Sequence, residues 1–409
     1  MMASILSVRS LLIAVLMLMG GSGFLSTLLS LRLQTAGTSS LLIGLVGTAY
    51  YAGLTVGSLR APRVIGQVGH IRAFAAFLSV FTAGTLACAL HQGFWLWAAL
   101  RFIQGLSLSG VFVCVESWLN ERAEAGTRGS ILASYMIATY GGSGAGQFLI
   151  DLGKETSLLP FIASAILLSL AVLPVAMTRI PSPPLDSAAP LSFRKLYAIS
   201  PLGMTGTSLT GLMLGSFYAL GAVYLHEIGL GQTRTATFMS VVIFAGVALQ
   251  MPIGRLSDRF DRRTVLTGIF FGVGLVSLAL GLALPTGHSL FILGVLFGGL
   301  LFTLYPLCVA HTNDYLTPDQ RVSASGGLIL IYSVGAAVGP IIAAGVMTGL
   351  GPGGLFICIA AAALGMVIFG LWRRQVRTAI PNDLQKSYQA MPHTTPMSAT
   401  LDPHSSENG

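Results

Sequence analysis

Twelve times along this chain a predominantly apolar run reaches about 20 residues or more, and that recurrence most limits what the chain can fold into. The runs lie at about 10–32, 40–61, 73–91, 93–119, 130–150, 158–177, 202–225, 235–256, 264–284, 289–313, 323–348 and 353–372. At a rise of about 1.5 Å per residue, roughly 20 helical residues cross the ~30 Å hydrocarbon layer of a bilayer. Inside that layer the backbone must satisfy its own hydrogen bonds, so each run predicts a helix. Only 9% of the residues are charged and 54% are hydrophobic, against about 25% charged in a soluble domain. So few charges cannot clothe a water-facing surface of this size. The 50 glycines fit close helix packing in lipid. The expected fold class is an all-α membrane protein with twelve transmembrane helices. The first run follows Arg9 as a signal peptide would, but it continues to Leu33 without a small-residue cleavage site and is expected to be retained as a helix.

The chain divides into two six-helix halves, 1–177 and 202–372, joined by a proline-rich polar linker at 178–201 and followed by a polar tail at 373–409. The tail lacks helical periodicity and is expected to be disordered and cytoplasmic. The halves match at an offset of about 193 residues. Arg128-Gly-Ser130 aligns with Arg321-Val-Ser323, Gly142 and Gly146 with Gly335 and Gly339, and Glu121 with Asp314. Cys114-Val-Glu116 sits near Cys308-Val-Ala310. In order along the chain, these matches argue for a duplication.

Charge sets the expected orientation. With the N-terminus inside, 18 of the 22 Lys and Arg residues fall on the cytoplasmic side; Arg32, Lys154 and Arg234 fall outside and Arg101 lies within a helix. Both termini are then cytoplasmic. The net charge of +8 is accounted for by topology, so nucleic acid is not an expected partner. The four cysteines lie singly in apolar segments and read as small buried hydrophobes. There is no phosphate-binding loop, no Gly-x-Ser-x-Gly elbow and no metal-ligand spacing, so neither an enzyme nor a cofactor is expected.

The loop between runs 8 and 9 reads Gly254-Arg-Leu-Ser-Asp258-Arg259-Phe-Asp261-Arg262-Arg263. It resembles the Gly-x-Leu-x-Asp-Arg-x-Gly-Arg-Arg loop of the major facilitator superfamily, with Asp261 standing where glycine is usual. The equivalent first-half loop, Pro62 to Arg72, is degenerate, with Gly66 in place of the acid. Arg101-Phe-Ile-Gln104-Gly105 resembles the superfamily's Arg-x-x-Gln-Gly motif, and Gly335-Ala-Ala-Val-Gly339-Pro340 its Gly-x-x-x-Gly-Pro motif, here in run 11 rather than run 5. The stretches Val115-Glu116-Ser117, Gly215-Ser-Phe-Tyr218, Gln250-Met-Pro-Ile-Gly254 and Phe302-Thr-Leu-Tyr305-Pro306 are similar to the YcaD-like bacterial branch. The resemblance covers the chain to about residue 374. It implies two six-helix halves related by a pseudo-two-fold axis along the membrane normal, a substrate cavity between them near the midplane, and transport by rocking of one half against the other.

It also implies site residues. A cytoplasmic gate is expected from Gly254, Asp258, Arg259 and Arg262 with Asp314 and Arg321, and from Glu121 and Arg128 in the first half. The glycine would permit close helix approach and the arginines would grip carboxylates and helix ends of the neighbouring bundle; the bland alternative is a basic anchor. Arg101 and Glu116 are the embedded charges, costly in lipid and therefore candidates for function. Fifteen residues apart on one helix, they share a face within about 60° but stand about 22 Å apart, too far to pair. Glu116 is a candidate proton carrier, or a structural acid bonded to a neighbouring helix or to Arg60. Cavity candidates are Gln104, Tyr50, Tyr51, Tyr140, Gln147, Tyr218, Gln250, Tyr305, His311 and Tyr332. The expected function is proton-coupled secondary transport of a small organic solute across a bacterial inner membrane by a monomer, export slightly favoured. An uncoupled facilitator or a non-transporting sensor or partner protein of the same fold are the alternatives.

Overall fold

The structure, a computed structural model, describes residues 2–123, 126–153, 156–178, 183, 191–376 and 385–401. Its regular structure is helical: α1 Met2–Ser22, α2 Leu25–Thr35, α3 Ser40–Val68, α4 His70–Leu90, α5 Phe94–Arg122, α6 Arg128–Gly146, α7 Leu159–Leu170, α8 Val172–Ala176, α9 Phe193–Ile199, α10 Pro201–Glu227, α11 Gln232–Arg259, α12 Arg262–Ala283, α13 Gly287–Asn313, α14 Pro318–Leu350 and α15 Gly354–Val376. Among the described residues, 11 helices are long and apolar enough to cross a membrane, with α1–α2 and α7–α8 each counted as one span. The twelfth expected span is α6 with the short 3₁₀ turn Gln147–Asp151. It falls short in hydropathy because Ser, Thr, Tyr and Gly dominate it, and those are the residues it turns toward the middle of the bundle. Outward faces carry exposed Ile137, Leu282, Ile292 and Ile368, as a surface bathed in hydrocarbon should.

Packing repeats between the halves. In the first, α1 packs on α6, α3 on α5 and α4 on α7; in the second, α10 packs on α14, α11 on α13 and α12 on α15. The pairs correspond one to one, which is the pseudo-two-fold relation expected from the repeat. Across the halves, α3 packs on α14 and α11 on α6, again a related pair. The expected linker region holds the short helix α9, which packs against α10 and α14; most of the rest of 178–201 lies outside the described residues.

The tail departs from the expectation of disorder. Residues 385–401 run back into the bundle and end in a 3₁₀ turn, Pro396–Leu401, packed on α5, α6 and α14. Thr395, Ser398 and Leu401 are buried. The physical reason is local composition: residues 387–400 carry no charge and include Tyr388, Met391 and Met397, enough apolar surface to offset ordering the chain. Residues 377–384 and 402–409 of the expected tail lie outside the described residues.

Candidate functional site

The two halves meet directly at one end of the bundle. Ser30 Oγ donates to the Ala219 carbonyl at 2.7 Å, Thr48 Oγ1 to the Ala337 carbonyl at 2.7 Å, Gln34 Nε2 to Glu227 Oε1 at 3.1 Å and Thr233 Oγ1 to Asp151 Oδ1 at 3.0 Å. Gln232 also donates to the Ile150 carbonyl. Glycine permits this approach. A Cβ on Gly44 would lie 2.7 Å from the Pro340 carbonyl oxygen, and one on Gly47 would lie 2.5 Å from the Ala219 Cβ.

Beyond this seal lies a cavity of about 130 Å³ between the halves. The first span is broken at Gly23, where α1 gives way to α2, and Gly23 with Ser22 and Ser26 forms part of the wall. Tyr50 and Tyr51 of α3, Tyr140 of α6, Tyr218 of α10 and Tyr332 of α14 face it, so five of the ten cavity candidates line one space. Phe112, Thr139, Ser143 and Ser333 complete an aromatic and hydroxyl lining. These four were not singled out from sequence, because hydroxyls and phenylalanines recur throughout the spans and only packing decides which turn inward.

The other five candidates are buried elsewhere or set back. Gln147 Nε2 donates to the Gly23 carbonyl at 3.2 Å and so holds the helix break, while Gln250 Nε2 donates to the Phe302 carbonyl at 3.4 Å. His311 stacks edge-on with Tyr315, their ring centroids 5.3 Å apart, near the end of α13. Tyr305 supports Tyr332 edge-on at 5.3 Å. Gln104 accepts from Arg101 and donates to Thr85 Oγ1 at 3.1 Å.

Arg101 is buried behind the cavity wall. Its Nη2 donates to Ser26 Oγ at 2.7 Å and its Nη1 to Gln104 Oε1 at 3.1 Å, and its guanidinium carbon lies 3.8 Å from the centre of the Tyr50 ring. A desolvated guanidinium over an aromatic face is held by the ring's negative quadrupole. Arg101 thereby fixes three groups, of which Ser26 and Tyr50 line the cavity. Arg101→Ala is expected to lower stability by about 1–3 kcal/mol, from the stranded buried acceptors, and Arg101→Lys to recover only part of it because an ammonium cannot reproduce the planar fork. Thermal unfolding in detergent checks this.

Glu116 on α5 is fully buried. It accepts from Tyr135 Oη at 2.9 Å, and from the hydroxyls of Thr394 and Thr395 in the returning tail. The adjacent-helix partner is therefore Tyr135 of α6, and the other hydrogen-bond donors come from the tail. Tyr135 and the two threonines were missed. The one sequence signal for the threonines is the uncharged run they occupy in an otherwise polar tail.

The gate residues separate into groups. Arg262 bridges Asp258 and Asp314, both at 2.8 Å, and its Nη1 also reaches the Ala310 carbonyl at the end of α13 at 3.3 Å. This cluster lies wholly within the second half, so it does not clasp the neighbouring bundle as expected. It ties α11, α12 and α13 to the tail: Lys386 N donates to Asp314 Oδ1 at 3.0 Å, Tyr388 N to Asp258 Oδ1 at 2.8 Å, and Arg262 Nη2 to the Lys386 carbonyl at 2.5 Å. Burial pushes the Asp314 carboxyl above the ordinary carboxylate range, with Arg262 pulling the other way. The space at Gly254 is taken by the Tyr388 ring rather than by a neighbouring helix. Asp261 caps α12, accepting from Thr264 N at 3.1 Å, which accounts for an acid where the motif has glycine. Arg321 is buried beside Asn313 and Lys386 in a small recess under the tail. Arg259 is exposed at the end of α11, Glu121 is exposed at the end of α5, and Arg128 opens α6.

Comparison with known proteins agrees with this arrangement. The family model described as Major Facilitator Superfamily matches residues 11–305 and 203–399. The MFS-type transporter YcaD of Escherichia fergusonii is 34% identical over 360 residues, covering 87% of this chain and 93% of the relative. YcaD of Salmonella enteritidis is 33% identical with the same coverage. Among solved structures, the nucleoside transporter NupG superposes with a TM-score of 0.71 at 16% identity over 89% of this chain and 98% of that one. The Escherichia coli fucose:proton symporter FucP gives 0.56 at 15% identity over 90% and 99%. By helix count, paired halves, loop motif and relatives alike, this chain belongs to the major facilitator superfamily and is a transporter rather than an enzyme.

Proposed function

We propose that the protein is a proton-coupled secondary transporter that carries a small, uncharged organic solute through the central cavity, with export as the favoured direction. The carrying observation is the cavity itself: it lies between two pseudo-symmetric halves whose direct hydrogen bonds, among the described residues, gather at one end, the asymmetry alternating access requires. Glu116 is the candidate coupling acid, because a fully buried carboxyl held by hydroxyl donors can exchange a proton when those donors move away. The lining favours a cargo with a flat or apolar face and hydroxyl-like groups. Five tyrosines offer ring faces and oxygens, and six serine and threonine hydroxyls join them in the lining. The anionic or zwitterionic cargo that a lone arginine brings to mind loses its ground, since Arg101 is already bonded to Ser26 and Gln104. The clustering of basic residues at the end opposite the seal supports reading that end, and both termini with it, as cytoplasmic in a bacterium. Export rests on the Arg101-to-Gly105 motif. The protein acts as a monomer in this reading.

The test is reconstitution into liposomes holding a pH dye, challenged with pools of neutral solutes. Nucleosides and sugars come first, since two carriers of this fold are named for such cargo. Proton movement on addition of one pool is the expected result. Solute movement without proton movement would replace coupling by facilitation.

A further inference from the structure

The cavity wall includes residues that belong to neither six-helix half. Pro392, His393 and Thr394 of the returning tail line it alongside the tyrosines. The His393 ring lies 4.5 Å from Tyr332 and 5.6 Å from Tyr305, centroid to centroid, so it occupies an aromatic niche between α13 and α14. Thr394 and Thr395 bond Glu116 on the first half. Lys386 and Tyr388, a few residues earlier, bond Asp314 and Asp258 on the second half. One segment thus spans both halves at the end where the direct hydrogen bonds of the opposite seal are replaced by its own.

We infer that residues 385–401 are a tethered plug: an autoinhibitory occupant that fills the cytoplasmic mouth of the cavity and must withdraw before cargo enters or the halves rock. Three observations carry it. The segment is buried like core, not laid on the surface, with Thr395 and Leu401 wholly covered. It presents a flat ring to the tyrosines and hydroxyls to the buried acid, the pairing of groups that the cavity lining favours in a cargo. It also sits as a wedge between Glu116 on one side and Asp258 and Asp314 on the other, so closing this end, which alternating access demands, requires its expulsion. While seated, the plug holds the transporter facing the cytoplasm, keeps the Glu116 carboxylate occupied, and excludes cargo by competition. The inference takes the direction of opening from the transporter reading above, but its first readout does not depend on transport.

That readout is accessibility. Ser333→Cys places a thiol in the cavity wall, while the four native cysteines are buried. A membrane-impermeant maleimide applied from the cytoplasmic face is expected to label it slowly in the full chain. Labelling should rise by about tenfold or more in Thr394→Ala/Thr395→Ala, in His393→Ala, and in a chain ending at residue 384. A synthetic peptide of residues 385–401 should restore protection to the shortened chain in a saturable manner. Equal labelling rates in all four proteins would overturn the plug, as would a peptide without effect on a shortened chain that melts normally. The point variants keep the test decisive if the shortened chain fails to fold. If labelling rises while no solute or proton moves, the plug stands and the coupled-transport reading falls. Where cargo is known, the same variants should transport severalfold faster than the full chain.

Discussion

Glu116→Gln is expected to abolish substrate-driven proton movement while leaving the protein folded and its cargo site able to bind. Glutamine preserves the shape and the acceptor oxygen that takes the Tyr135 hydroxyl, now 2.9 Å from the carboxylate, but it cannot bind or release a proton at any physiological pH. The expected loss in concentrative transport is about a hundredfold or more, the scale at which removal of an essential acid–base group is felt. Binding should change by less than tenfold, since the carboxylate lies behind the cavity wall rather than in it. The measurement is paired: dye-reported proton flux in liposomes, and solute exchange across the same membranes without a gradient. Loss of flux with exchange preserved assigns Glu116 to coupling. Preserved flux would make Glu116 a structural acid that anchors Tyr135. Tyr135→Phe separates the roles further, because it removes one donor and leaves the titrating group in place. It should shift the pH at which flux is half-maximal without abolishing it.

The fold was largely legible in the sequence because membrane constraints are severe and act on composition. Apolar runs of spanning length, a repeat at a fixed offset and a lopsided distribution of arginines leave few architectures open. The α6 span shows where hydropathy fails: its glycines, serines and tyrosines pack on α1 and α11, so a span is recognised there by its place in the repeat rather than by its apolarity. The site was legible only in part. Tyrosines at 50, 51, 140, 218 and 332 were recoverable since a large amphipathic ring in a span must put its oxygen somewhere wet or bonded. Tyr305 and His311 met the same criterion and turned out to be packing residues, since sequence does not fix the rotation of a helix about its own axis to within one residue. Ser22, Ser26, Thr139, Ser143 and Ser333 carried no signal, as a hydroxyl can bond its own helix anywhere along a span. The gate was legible as a charge cluster with Asp314 as a partner, but not in its attachment to the tail. Arg262 meets Asp258 four residues back on the neighbouring turn of chain and Asp314 52 residues on. Only the three-dimensional packing shows that this cluster binds the returning tail and not the first half. Within the tail, the described segment 385–401 departs from the expectation. Low hydrophobicity averaged over residues 373–409 argues for disorder, yet the average conceals an uncharged segment that finds its apolar partners inside the bundle instead of in its own sequence.

Removing Arg262 should produce the largest loss of stability of any single gate substitution. Its side chain is 1% exposed and that of Asp314 3%, so the pair is desolvated on both sides, while Asp258 keeps 33% exposure. Arg262→Met retains the aliphatic bulk but leaves Asp314 buried without its counter-charge, and the tail carbonyl of Lys386 without its donor. Breaking one partner of a buried ion pair costs about 3–5 kcal/mol, so a marked fall in melting temperature is expected, with loosened attachment of the tail. Arg262→Lys should recover only a minor part, because a single ammonium cannot bridge two carboxylates and a carbonyl at once. The double substitution Arg262→Met with Asp314→Asn should be milder than Arg262→Met alone, since it removes the stranded charge along with its partner. The sign of the pH dependence follows from the raised Asp314 carboxyl. A group whose folded pKa lies above its unfolded value takes up protons on folding, so its ionisation weakens the fold as pH rises through the folded value. Without Arg262 to pull it down, that value climbs further. The variant should therefore be penalised more at the higher of two pH values than at the lower, since protonation neutralises Asp314 and removes its need for a partner. Melting curves of the two single variants and the double at both pH values give the answer directly. A double variant as unstable as Arg262→Met, with no relief on acidification, would show that the arginine works through the Lys386 and Ala310 carbonyls and not through Asp314.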